Sequence, residues 1–279
     1  MKRITLALAV LCILVIGCKD APLELTPSPS SGQRVAHLTI RYYRFLDQEP
    51  MLDTVLIDGA VKAIASKDSM SFRYDSQGRL TNYDRTQYSA NISGPYTSGT
   101  LKSEYTYQNG QFQELEGSTG IRFQYRLDDS QRRVLSRTKK RYSYIDVDTL
   151  RQYSAEGILK TVQFLNNRQV FTIDNGNVVR IEQYGIASGK LEQVTQMTYD
   201  NTHLAPPAQL TFLGETSRNA LVHKKILDYG YTDGVHIYDY TYTNEYDAQG
   251  RMTRQIEYHQ ESWYNQGKPY FWTATDYYY

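Results

Sequence analysis

Cysteine is almost missing from this chain. Its 279 residues hold only Cys12 and Cys18, both near the N-terminus. Whatever folds after them has neither a disulfide nor thiolate chemistry. Proline is scarce too, with 8 in the chain, three of them (Pro22, Pro27, Pro29) in one short stretch. Net charge is close to nothing at +1. Losing residues 1–17 would remove Lys2 and Arg3 and no acid, leaving 29 bases against 30 acids. Such a balance steers the protein toward neither nucleic acid nor anionic lipid. No stretch has a convincing 3.6-residue apolar period, which excludes a helical domain. There is no P-loop, no dinucleotide fingerprint and no Gly-x-Ser-x-Gly elbow. No two histidines among His37, His203, His223, His236 and His259 stand at a metal-ligand spacing.

Tyrosine is abundant, at 26 residues, and 13% of the chain is aromatic. That excess, beside 18 Gly, favours sheet over disorder. The stretch Tyr246-Asp247-Ala248-Gln249-Gly250-Arg251-Met252 recurs as Tyr74-Asp75-Ser76-Gln77-Gly78-Arg79-Leu80. A looser copy runs Tyr153-Ser154-Ala155-Glu156-Gly157-Ile158-Leu159. Asp can accept a hydrogen bond from the backbone N–H two residues on, which pre-forms a bend. Gly then supplies the positive φ of a type I turn with a G1 bulge. Asp75, Gly78, Asp247 and Gly250 are therefore expected to be structural turn residues. Degenerate copies stand at Tyr107-Gln108-Asn109-Gly110, Ile173-Asp174-Asn175-Gly176 and Tyr199-Asp200-Asn201. The fold class expected is all-β: an antiparallel meander of many short hairpins, curled into a barrel-like or strongly twisted sheet.

Three segments divide the chain. Residues 1–17 carry a positive start and an apolar run from Leu6 to Ile16, too short for a stable membrane span, and read as a secretory signal. The run ends Val15-Ile16-Gly17-Cys18, which resembles the bacterial lipobox; Cys18 is then the acylated first residue. Lys19-Asp20 is similar to the export tag of Bacteroidetes-type surface lipoproteins. Residues 18–34 form a lipid-anchored, disordered or polyproline tether. Residues 35–279 are the β domain. Short helical turns are expected at 60–65 and 217–222, and a strand at 208–213. The irregular stretch 201–222, with Pro206-Pro207, is the expected functional insertion.

The Tyr-Asp-x-x-Gly-Arg-Leu hairpins resemble the YD repeats of large bacterial shell-forming toxins and adhesion proteins. The whole arrangement looks closer to a family of uncharacterised Bacteroidetes-type lipoproteins with a porin-like β fold. A late Tyr199-Asp200-Asn201 loop, the run Tyr238-Asp239-Tyr240-Thr241-Tyr242 and the final Tyr246-Asp247 carry that resemblance. The usual apolar residues after Asn201 are missing. The resemblance implies fold and location, and no catalytic residues.

Little else points to chemistry. Asp146 and Asp148 share a strand face, and Asp128-Asp129 sits at a turn; paired carboxylates serve glycosidases or calcium, yet turn aspartates have a sufficient structural reason. Arg137, Lys139 and Arg141 alternate onto one face, expected to be solvated. The aromatic residues are the better lead: Tyr238 and Tyr240 on one strand face, and Trp263, Tyr264, Tyr270 and Trp272 near the C-terminus. They either fill a core or form a platform for a sugar or a protein partner. The function expected is a non-catalytic, lipid-anchored outer-membrane lipoprotein, surface-exposed, binding a glycan or protein, with no cofactor, metal or nucleic acid. The alternatives are an integral outer-membrane β-barrel and a glycan-processing hydrolase. A membrane strand needs nine to eleven residues with an apolar outward face. The strand from Arg251 fails this, because its more apolar face, Met252/Arg254/Ile256/Tyr258, carries Arg254.

Overall fold

The computed structural model describes residues 34–43, 53–57, 60–91, 94–108, 110–117, 120–128, 133–141, 144–210, 213, 217–261 and 270–279. The signal, Cys18 and the tether lie outside the described residues. The first strands are β1 (His37–Tyr43), β2 (Asp53–Ile57), β3 (Ala60–Tyr74), β4 (Leu80–Asn91), β5 (Gly94–Gln108) and β6 (Gln111–Glu116). Then come β7 (Ile121–Leu127), β8 (Val134–Arg141), β9 (Tyr144–Tyr153), β10 (Leu159–Gln163), β11 (Asn167–Asp174) and β12 (Asn177–Gly185). The chain ends with β13 (Leu191–Leu204), β14 (Asn219–Asp228), β15 (His236–Tyr246), β16 (Met252–Glu261) and β17 (Tyr270–Tyr278).

From β3 to β17 each strand pairs antiparallel with the next, and β1 pairs with both β3 and β17. The sheet therefore closes on itself. Short β2 continues the β1 position against the start of β3, so the 17 segments make a ring of sixteen strands. Closure removes the exposed sheet edges on which strands of other chains could add.

Two ends are distinguished by the chain path. At one end lie the β3–β4, β9–β10, β11–β12 and β15–β16 turns, together with Arg34 and Tyr279; we call it the turn end. The repeated turns form there as expected. Gly78 and Gly250 have φ of +74° and +75°, and Gly157 has +90°. Asn175 and Gly176 are both at positive φ, as a two-residue type I′ turn requires.

A wall residue faces inward or outward by alternation, and the turn end resets the count. Tyr74 opposes Leu80 while Arg73 opposes Asn82, leaving Thr81 as an extra residue. The same bulge leaves Leu135, Lys160, Val179, Val222 and Thr253 as extra residues in later hairpins. Met252 and Arg254 thus lie on opposite faces, against simple alternation.

The inward face holds the core: Leu38, Phe72, Leu80, Tyr105, Phe112, Tyr125, Leu127 and Val134, joined by Val35. The outward face is polar: on β5, Lys102, Glu104 and Thr106 are exposed while Ser103 and Tyr105 are buried. Sixteen strands enclose more space than wall side chains fill. Residues 205–210 and 213, in the connection between β13 and β14, add to the filling. Leu210 and Leu213 pack against the core of β1 and β3–β8, and Tyr74 donates its hydroxyl to the Gln209 carbonyl at 3.2 Å. In the ring of sixteen, β13–β14 stands opposite β5–β6, so the described residues of this connection, 205–210 and 213, reach toward that wall and plug the turn end.

Four local expectations are corrected. Residues 60–65 and 219–222 are strand, not helical turns, because their backbones complete the ring. Residues 208–210 are not strand; they belong to the plug. Tyr199-Asp200-Asn201 does not reverse the chain: β13 continues to Leu204 with a bulge after Asp200. Arg137 faces the interior, its guanidinium 5.1 Å from the Phe123 ring centre, rather than a solvated surface.

Candidate ligand site on the inner wall

Lys224, Tyr240 and His259 oppose one another across β14, β15 and β16, so all three face inward in one row. Tyr242 and Glu257 form the next row toward the turn end, and Tyr238 and Glu261 the next toward the far end. Lys224 Nζ lies 3.9 Å from the Tyr240 ring centre and 3.8 Å from Glu257 Oε2. The His259 ring stacks on Tyr240 at 4.3 Å and 9°. Tyr240, on the middle strand, is thus in ring contact with both Lys224 and His259. Cation–π attraction and stacking together fix that ring.

Burial shapes the charges here. It pushes the Tyr240 hydroxyl up to about 12, helped by the carboxylates of Glu257 and Glu261. It lowers Lys224, against the pull of Glu257. It also lowers His259, which is 4% exposed, although Glu261 and Glu257 favour its charged form. The row continues to the far rim: Tyr238 shares a 3.1 Å hydroxyl contact with Tyr231, which stacks on His236 at 3.7 Å.

Two further inward networks stand beside it. Fully buried Asp68 on β3 accepts from Arg85 Nη2 at 2.6 Å and from the Tyr42 hydroxyl at 3.2 Å. Glu114 accepts the hydroxyls of Tyr105 at 3.1 Å and Tyr125 at 2.5 Å. On the outer wall an ion triad crosses the closing seam, Arg41 and Arg254 both pairing with Asp276.

Of the residues expected at a binding site, Tyr238 and Tyr240 are brought together in this cluster. Tyr270 and Trp272 lie in β17, and Trp272 is the extra residue of a bulge opposite Glu257 and Tyr258; their side chains, and all of Trp263 and Tyr264, fall outside the described residues. Lys224 and Glu257 carry no signal of their own in the sequence, and His259 is singled out there only as one of five histidines without a metal spacing, because their meeting depends on strand register. The only available signal was parity counted back from Tyr238 and Tyr240 through two hairpins. Asp146, Asp148 and Asp129 have no described side chains; Asp128 caps its own turn, accepting from Arg133 N at 3.2 Å. Among the described residues, no group of three or more His, Cys, Asp or Glu could hold a metal ion.

A porin-like protein from Bacteroides uniformis superposes with a TM-score of 0.63, covering 90% of this chain and 98% of that one at 13% identity. The barrel is porin-like. At that identity the likeness speaks for the fold alone. No family model and no curated protein matches the chain. The closed ring makes the fold a barrel rather than an open, strongly twisted sheet. The chemistry of the two wall faces bears on which medium surrounds it.

Proposed function

We propose that this protein is a non-catalytic, outer-membrane-associated lipoprotein, acylated at Cys18, whose porin-like barrel stands in water as a blind-ended receptacle for a glycan or protein partner. The observation that carries this reading is the wall's polarity. Outward positions around the ring hold Arg41, Lys67, Arg73, Asp84, Lys102, Glu104, Arg122, Arg168, Arg180, Lys225 and Arg254. In lipid, each Arg or Lys near the midplane would cost about 2–4 kcal/mol. Aromatics, meanwhile, crowd the inside, the reverse of a lipid-facing wall.

The plug supports a container over a conduit, since residues 205–210 and 213 occupy the turn end. The tether supports an orientation. Ala36 N donates to Tyr278 O at 2.8 Å, so the chain enters the barrel at the plugged end. A lipid there holds the plugged end to the membrane and turns the opposite rim away. That rim bears exposed Phe164, Leu165, Ile186, Tyr229, Tyr231 and Val235, a surface suited to a partner. Tyr240 is already in contact with Lys224 and His259, so recognition in the row falls to Tyr238, to hydroxyls and to charges. Trp263, Tyr264, Tyr270 and Trp272 are the further candidates.

The second reading, an integral outer-membrane barrel, is favoured by the closed ring and the porin-like neighbour. One experiment separates the two. A chain starting at Lys19 is expected to be soluble without detergent and to give no conductance in planar bilayers. Detergent dependence with heat-modifiable gel mobility, or stepwise conductance, sinks the receptacle reading. Cys18→Ser is expected to leave an unprocessed precursor; normal processing of that variant removes the anchor.

A further inference from the structure

Above the plug, on the wall facing β16, two arginines stand together. Arg137 on β8 and Arg151 on β9 both point inward, on adjacent strands. Arg137, Tyr153 and Tyr125 act on the charge of Arg151, and Arg137 is also hydrogen-bonded to Tyr125. No carboxylate pairs with Arg151 among the described residues. Its Nη1 is buried with no hydrogen-bond partner. Two acids of this wall with described side chains are engaged elsewhere: Glu114 takes the Tyr105 and Tyr125 hydroxyls, and Asp128 pairs with Arg133 at 3.9 Å. The Tyr153 hydroxyl is spent on the Val134 carbonyl at 2.8 Å.

A half-buried guanidinium beside a second one, with an unspent N–H, is unfavourable unless something negative joins them. Burial and the like charge of Arg137 both disfavour the charged form of Arg151, yet an arginine stays protonated. A planar fork of donors matches two oxygens of one anionic group. We propose that Arg137 and Arg151 form an oxyanion site on the inner wall, taking the carboxylate, sulfate or phosphate group of a ligand that enters from the far rim. A neutral sugar would not satisfy it. An acidic one, with its charge on the arginines, would.

The test uses the full processed chain in detergent, so its outcome does not depend on whether the outer wall meets lipid or water. Sodium sulfate, inorganic phosphate and sodium glucuronate are titrated separately by calorimetry at constant ionic strength, with glucose as control. At least one anion is expected to bind once per chain. Arg151→Met should weaken that binding at least tenfold, and Arg151→Lys less. The anion-free melting temperature of Arg151→Met should be equal or higher, because an uncompensated buried charge has gone. Three outcomes overturn the site: none of the anions binds, binding survives in both Arg151→Met and Arg137→Met, or Arg151→Met melts lower in the absence of anion.

Discussion

Two copies of one heptad, at Tyr74–Leu80 and Tyr246–Met252, lie far apart in the chain and build the same turn. In the first, Asp75 Oδ1 accepts from Gln77 N and Arg79 N, both at 2.9 Å, and Oδ2 from Arg79 Nε at 2.7 Å. In the second, Asp247 does the same with Gln249 N at 3.0 Å, Arg251 N at 2.9 Å and Arg251 Nε at 2.7 Å. Each Arg then lies on a tyrosine: Arg79 4.5 Å from the Tyr107 ring centre, Arg251 4.8 Å from that of Tyr279. The copies differ in what surrounds them. A Cβ on Gly78 would meet Arg34 Nη2 at 2.5 Å, whereas one on Gly250 would meet nothing within 4 Å. Leu80 belongs to the plugged core and Met252 lies outside it. Local chemistry makes the turn, and its position in the ring decides what the turn supports.

The largest effect should come from the residue each turn delivers inward. Leu80 is 0% and Met252 1% exposed. Truncating either to Ala should cost about 2–5 kcal/mol in urea unfolding, with Leu80 the greater because rigid neighbours on several strands cannot collapse into the gap. A Met252→Ala loss exceeding that of Leu80→Ala would break the contrast between core and margin.

Next come the turn glycines. With φ near +75° in both, Gly78→Ala and Gly250→Ala should each cost about 1–2 kcal/mol from left-handed strain. If either melts like the parent, that turn is not held as described.

The aspartates follow. Asp75→Ala should cost about 1 kcal/mol through unmade hydrogen bonds, and Asp247→Ala should act in the same direction. For both carboxyls burial opposes ionisation, but the backbone and side-chain hydrogen bonds of Arg79 or Arg251 outweigh it and hold them below the usual range. The unfolded chain therefore takes up these protons first. Their contribution is present above the ordinary carboxylate range and is lost as pH falls through the lowered values. Asp75→Asn and Asp247→Asn should flatten acid unfolding between about pH 5 and pH 2 relative to the parent; an unchanged slope would assign the acid sensitivity elsewhere.

The smallest effect is the sharpest test of context. Arg34→Ala should make Gly78→Ala and Gly250→Ala nearly equal, because it removes the one neighbour that distinguishes them. A double-mutant cycle showing no coupling between Arg34 and Gly78 would leave the two turns without their difference.

Much of the fold was legible from residues alone. Asp and Gly at fixed offsets specify a turn through hydrogen bonds no longer than the turn itself, so Asp75, Gly78, Asp247 and Gly250 could be placed without a structure. Tyr199-Asp200-Asn201 shows the limit. Asp200 does accept from Thr202 N at 2.8 Å, but pairing of β13 with β14 carries the strand on, and no Gly follows to reverse it. The site was half legible. Tyr238 and Tyr240 share a face by simple alternation, whereas the bulges at Thr253 and Val222 shift the parity of β16 and β14, and with it the aim of Glu257, His259 and Lys224.

What the sequence by itself determined is the local grammar: alternating strands rich in Tyr, punctuated by Asp–Gly turns whose hydrogen bonds close within a few residues. What only the tertiary structure decided is non-local. Pairing of β1 with β17 closes the ring, because two strands more than two hundred residues apart in the chain must meet. Residues 205–210 and 213 become a plug only because closure creates a lumen wider than the wall side chains can fill. The wall's polarity also takes its meaning there, since alternation gives two faces and closure alone decides which of them is inside.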